Sequence, residues 1–217
     1  GGFRNRWRPI LIWGSAAAAS VAFIFFVALP FMAERAAGWI PQEVEDDLGT
    51  RVADQMAGFF ARSDDEPRFC SSPAGAIALQ RVVDRLRDEI DYEGALTVRV
   101  VSTPEVNAFA LPGGQILIFE GLLNFAKDAE AVAGVLAHEL GHVEHRHPLE
   151  VFLKNAGAGA ILGLLLGDVS GGAIGVIGAQ LYLRASYGQE AEREADAVAL
   201  RVLNASDIRG GTYAEFF

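Results

Sequence analysis

The sequence predicts an α+β domain, mostly helical with a small antiparallel sheet, preceded by an N-terminal transmembrane helix. Three observations carry this. Apolar residues recur at helical spacing in several segments. Short apolar runs flank a Pro-Gly-Gly turn midway along the chain. Near the start, the 25 residues from Pro9 to Ala33 hold no charge.

An uncharged stretch of that length can span a bilayer as a helix. Trp7 and Trp13 lie near one end and Trp39 just past the other, where interfacial aromatics are expected. A secretory signal peptide is the rival reading, but its apolar region should be shorter and end in a small-x-small site. The expectation is therefore a basic cytoplasmic flank at 1–8 carrying Arg4, Arg6 and Arg8, a single anchor at 9–33, and a domain at 34–217 on the far side. That is the periplasmic or extracytoplasmic side of a bacterial inner membrane, with lipid contacted through the N-terminal helix. Because the chain starts at Gly1 rather than Met, a trimmed piece of a longer protein is expected.

Glu43 to Ala61 places Val44, Leu48, Val52, Met56 and Phe59/Phe60 at helical spacing, with acid at its start. After the turn-rich stretch Ser63 to Pro73, Ala74 to Ile90 repeats the pattern with Ile77, Leu79, Val82, Val83, Leu86 and Ile90. Leu96 to Val101 alternates like a strand; Phe109 to Leu111 and Ile116 to Phe119 read as two more, joined by Pro112-Gly113-Gly114. Asp128 can cap a following helix whose apolar face is Val132, Val135, Leu136, Leu140 and Val143. Pro148 disfavours helix at His147 and is expected to end that element.

Composition narrows the functional classes. The chain has 217 residues, 51% of them apolar, and a net charge of −10, so nucleic acid is not an expected partner. Without Arg4, Arg6 and Arg8, 15 basic residues face 28 acidic ones, a balance of −13, so the two sides of the membrane differ sharply. A single cysteine, Cys70, rules out an internal disulfide and a cysteine zinc cage; it reads as a packed or half-buried thiol.

All four histidines fall within ten positions of LAHELGHVEHRH, Leu136 to His147. His138-Glu139-Leu140-Gly141-His142 puts two imidazoles one helical turn apart on the same face, able to reach one ion. Glu139 is offset enough to miss the metal yet close enough to reach a metal-bound water. Gly141 allows close approach. The bland alternative is a helix whose histidines face solvent. A third ligand must come from elsewhere, because His145 lies about 10 Å of helical rise from His138. Gln189 to Leu200 supplies the candidate. Glu192 and Asp196 are four apart on one face, so Glu192 can complete a His-His-Glu site and Asp196 can accept the ring N–H of a ligating histidine. Alone, Glu190, Glu192, Glu194 and Asp196 would read as a solvated acidic face. His145 and His147 read as bystanders or local hydrogen-bonders.

Between the two halves lies Ala156 to Leu183, whose only charge is Asp168 and whose Gly159, Gly163, Gly167, Gly171 and Gly175 repeat every four residues. Asp168 to Gly172 reads as a turn, so a hydrophobic hairpin is expected, packed on the domain or dipping into the bilayer surface. A single crossing would strand Glu192 on the opposite side from His138.

Together, HELGH, NAFALPGG at Asn107 to Gly114 and EREAD at Glu192 to Asp196 resemble family forty-eight of the metallopeptidases, the membrane-associated Ste24 and HtpX type of the Glu-zincins, over about residues 34–217. The resemblance implies a thermolysin-like zincin domain with one zinc per chain bound by His138, His142 and Glu192, Glu139 as base and Asp196 behind a ligand. It also implies that Asn107, Ala108, Phe109, Ala110, Gly113 and Gly114 bind a peptide lying extended along an edge strand. Read without the family, NAFALPGG is an ordinary hairpin turn.

Zinc held there would supply a water acidified to a pKa of about 7, whose proton Glu139 would take and later pass to the leaving amine. The expected activity is a zinc metalloendopeptidase of envelope protein quality control, acting on protein or peptide substrates. Alternatives are a catalytically silent zinc-binding chaperone of the same fold and a structural zinc protein. A second donor for the tetrahedral intermediate is not visible. The resemblance implies a His-containing segment past Phe217, which would make the domain C-terminally incomplete; otherwise Tyr187, Arg193 or His147 substitutes. Substrate preference and oligomeric state are not legible.

Overall fold

The computed structural model describes residues 3–28, 31, 37–60, 68–154 and 187–208. The expected hairpin at 156–183 and the residues after 208 lie outside them. Helix α1, Phe3–Phe23, continues as a π-helical turn, Ile24–Ala28. Among the described residues no helix is long and apolar enough to cross a membrane. Ile10, Leu11, Ile12 and Trp13 on α1 are 60–75% exposed.

Helix α2, Gln42–Phe60, starts with Glu43 and Glu45 in its first turn and buries Leu48, Val52, Ala53, Met56 and Ala57. Helix α3, Pro73–Arg87, is capped by Ser72, whose hydroxyl accepts from the Gly75 N–H at 3.2 Å, and has proline where the missing N–H is harmless. Strands β1 (Thr97–Val101), β2 (Ala108–Leu111) and β3 (Gln115–Phe119) form one sheet in the order β1-β3-β2.

The sheet corrects the antiparallel expectation. β3 is antiparallel to β2 but parallel to β1, so the sheet is mixed. The cause lies in β3 itself. All five residues of QILIF are buried, a composition suited to the centre of a sheet, whereas β1 is mostly half-buried. β3 therefore inserts between β1 and β2. Residues 68–70 cover part of the outer edge of β1, with Phe69 bridging Val101 and the Cys70 N–H donating to the Val100 carbonyl at 2.9 Å. Among the described residues, β2 forms the other edge.

Period-two alternation divides the core between the two sheet faces. Leu111, Leu117 and Phe119 pack with Leu48, Val52 and Met56 of α2 and with Leu149, Phe152 and Leu153. Ala108, Ala110, Ile116 and Ile118 pack on the opposite side against α3, α5 (Ala129–Glu144) and α7 (Gln189–Ala205). The short helix α4, Glu120–Phe125, leads from β3 towards α5, and α6 spans 147–154.

Two local expectations change. Helix α5 ends at Glu144, before Pro148, and Arg146 then adopts φ 54°, after which α6 begins with Pro148 in its first turn. Proline here opens a helix rather than closing one, because its absent N–H is one that a first turn leaves unpaired. Cys70 is exposed, not packed.

Candidate metal centre

Asp128 caps α5 through its carboxylate, which accepts from the Ala131 N–H at 2.8 Å. From there the helix runs through the core, and His138, Glu139 and His142 are each 8% exposed or less. α7 crosses against it at Gly141. A Cβ built there would lie 2.7 Å from the Ala195 backbone, so the close approach needs glycine. This contact brings the carboxylates of α7 over the imidazoles of α5.

The Nε2 atoms of His138 and His142 face each other at 3.1 Å. The Glu192 carboxylate lies 3.5 Å from the first and 3.9 Å from the second. Tetrahedral zinc with bonds of about 2.0–2.1 Å needs donors about 3.3 Å apart, so these separations bracket the requirement. The three side chains form one of two groups among the described residues able to hold a metal ion. The other is His145, His147 and Glu194. Burial, with the neighbouring imidazoles His138, His147 and His145 adding to it, holds the His142 pKa down at about 2, so its ring keeps a lone pair for a cation.

Behind each imidazole stands a further group. Asp196 lies 2.9 Å from His138 Nδ1, the position expected for it from spacing. His142 Nδ1 faces His147 Nδ1 at 3.0 Å, and His147 Nε2 donates towards Glu194 at 3.0 Å. The side chains of Glu192, Glu194 and Asp196 remain 42–55% exposed.

Glu139 accepts the Ala110 N–H at 2.6 Å. Burial pushes its carboxyl up to about 7, against the lowering pull of His138 and of that N–H. A base with a pKa near the working pH is suited to proton transfer. The hydrogen bond also joins α5 to β2. Because the Phe119 N–H donates to the Asn107 carbonyl, alternation pairs Phe109 and Leu111 with β3 and turns the main-chain groups of Ala108 and Ala110 to the outer side. There the Asn107 side chain accepts from the Ala108 N–H at 2.9 Å, and the Tyr187 hydroxyl donates to the Ala110 carbonyl at 3.4 Å. Phe109 points its ring against Phe60 and Phe119. Gly113 and Gly114 both adopt φ 66° in the turn that follows, and a Cβ on Gly113 would meet the Asp46 backbone at 2.5 Å.

Several partnerships were not visible in the sequence. Tyr187 stacks on His142 with centroids 3.8 Å apart. Buried Glu45 accepts from the Gly113 N–H at 3.0 Å and from Arg146 Nε at 2.9 Å, tying the hairpin turn to the end of α5. His147 and Glu194 join across 47 positions of chain. Each contact joins segments distant in sequence, which spacing along one segment does not reveal.

The model of peptidase family M48 matches residues 73–217, two thirds of the chain and every element from α3 onward. This chain belongs to peptidase family M48. Membership in a metallopeptidase family implies a metal ion, and the donor set converging at His138, His142 and Glu192 fits one. Among its relatives, the mitochondrial metalloendopeptidase OMA1 of Arabidopsis thaliana is 40% identical over 106 residues, 49% of this chain and 22% of that protein. Its counterpart in Saccharomyces cerevisiae is 36% identical over 126 residues, 57% of this chain and 35% of that protein. The beta-barrel assembly-enhancing protease of Escherichia coli is 29% identical over 126 residues, 49% of this chain and 24% of that protein. The chain thus matches about a fifth to a third of the length of these relatives.

Proposed function

We propose that this chain is a membrane-anchored zinc endopeptidase acting in envelope protein quality control on the periplasmic side of a bacterial inner membrane, with an anchor at 9–33 and a peptidase domain at 34–217. One observation carries the enzymatic part. Glu139, which stands between His138 and His142 on α5, accepts the Ala110 N–H on the outer side of β2, so the helix that carries two metal donors also sets the base against a strand edge.

His138, His142 and Glu192 would hold the zinc, which when bound supplies a Lewis acid and an acidified water. Glu139 takes the proton of that water on a carboxylate oxygen and later delivers it to the leaving nitrogen, serving as base and then acid. An extended peptide adds to the edge of β2 and exchanges main-chain hydrogen bonds with Ala108 and Ala110, beside Asn107 and Phe109. Pairing with the Ala110 N–H would replace its bond to Glu139, leaving the carboxylate to the water. Gly113 and Gly114 end the strand and let the turn sit on α2. The exposed apolar side chains of α1 favour lipid contact, and names such as metalloendopeptidase and protease among the relatives favour protein substrates.

The test is casein cleavage by the zinc-loaded chain and its Glu139→Gln variant. Cleavage by the parent and loss in the variant, with zinc retained, supports the reading; equal cleavage by both contradicts it. For the anchor, deletion of residues 1–33 should move the protein from the membrane to the soluble fraction.

A further inference from the structure

The two imidazoles at the metal centre are supported differently. His138 Nδ1 meets a carboxylate directly, at Asp196. His142 Nδ1 meets a second imidazole, buried His147, whose other nitrogen meets Glu194. We propose that His147 and Glu194 are positioning residues for the metal centre, forming a hydrogen-bonded relay that orients His142 and sets its tautomer. The proposal rests on the assignment of His138, His142 and Glu192 as metal donors.

Donor and acceptor counting determines every proton in the relay. A neutral histidine carries one N–H and one lone pair. His142 must turn the lone pair of Nε2 to the ion, because that atom faces His138 Nε2 and Glu192. Its proton is therefore on Nδ1, which donates to His147 Nδ1 at 3.0 Å. His147 then carries its own proton on Nε2 and donates it to Glu194 at 3.0 Å. From His142 Nδ1 to Glu194 each N–H meets an acceptor. The reverse assignment would place the His142 proton on Nε2, against the ion. Outer partners that orient ligating histidines in this way raise their basicity.

The same count bears on the group His145, His147 and Glu194. An ion there would need the Nε2 lone pair of His147, moving its proton to Nδ1, where it would face the N–H of His142. The relay and a second ion exclude each other. The fold supports the relay: Arg146, at φ 54° and paired with Glu45, interrupts the helix after α5 and leaves His147 against His142, while α7 carries Glu194 to the other ring nitrogen of His147.

The test measures zinc affinity by chelator competition on the full chain for the parent, His147→Leu, His147→Asn, Glu194→Ala and Asp196→Asn, with thermal melts of each. Leucine keeps bulk but accepts no hydrogen bond, and should weaken binding about 10- to 100-fold, the scale set by outer partners of metal ligands. Asparagine puts an amide oxygen near the place of Nδ1 and should restore affinity to within about threefold of the parent. Glu194→Ala should cost less than leucine. In nitrogen-15 NMR of the zinc-loaded parent the His147 proton should sit on Nε2; a proton on His147 Nδ1 would overturn the relay. Equal affinity for His147→Leu and His147→Asn, whether tight or weak, would overturn the relay, as would a second zinc per chain in the parent. A parent that binds no zinc would overturn the metal assignment itself, and the relay with it.

Discussion

The two helices that make the metal centre contribute opposite kinds of side chain. α5 brings His138, Glu139 and His142 from within the core, whereas α7 brings Glu192, Glu194 and Asp196 from a face that water reaches. On the buried side, desolvation does the chemical tuning: it keeps His142 unprotonated and raises Glu139 towards neutrality. On the open side, position matters more than environment, because the carboxylates are held by the imidazoles they face and by the seating of α7 on Gly141. The difference separates residues that make the site reactive from residues that complete and orient it.

The sharpest way to break this division is at Glu139. Glu139→Gln should lower peptide hydrolysis by about 10²- to 10⁴-fold, the range for loss of a positioned base, while zinc content stays at one per chain. Retained hydrolysis would remove the special role of the buried arm. Next comes the open arm: Glu192→Ala removes a metal donor and should weaken zinc by more than about 100-fold in chelator competition, exceeding loss of an outer partner such as Asp196. An equal loss in Asp196→Asn would erase the distinction between completing and orienting.

Stability should follow burial. The folded pKa of Glu139 is raised above its ordinary 4.5 to about 7, so ionising it costs the folded state. The penalty is absent below about pH 4.5, grows as pH rises through 7, and then levels at about 3 kcal/mol. Metal-free Glu139→Gln should therefore melt above the metal-free parent at pH 8, with the gap closing as pH falls towards 4.5. A gap independent of pH would mean that the carboxyl is not the cause. Smallest of these effects, Gly141→Ala forces a Cβ to within 2.7 Å of the Ala195 backbone and should destabilise the fold by about 1–3 kcal/mol, read as a lower Tm.

Much of this arrangement was legible in the residues. The i, i+4 pairs His138/His142 and Glu192/Asp196 announce their shared faces, Asp128 announces a helix start, and Gly113 and Gly114 announce a turn. What stayed hidden depends on neighbours distant in sequence. Whether β3 pairs with one strand or two is decided by burial on both faces, and QILIF shows no polar face from which to judge it. His147 looked incidental because its partners lie across the helix break at Arg146 and on another helix. Glu45 looked like one acid among several at the start of α2, yet it is buried against Arg146 and the hairpin turn.

Zinc titration of the metal-free chain, read by stoichiometry and affinity for the parent, His142→Ala, Glu192→Ala and His145→Ala, tests most directly that α5 and α7 close on a single ion. One zinc per chain is expected, bound as tightly in His145→Ala as in the parent and severely weakened in the other two. Parent-like binding in Glu192→Ala, or an ion lost in His145→Ala, would place the metal elsewhere and contradict the account.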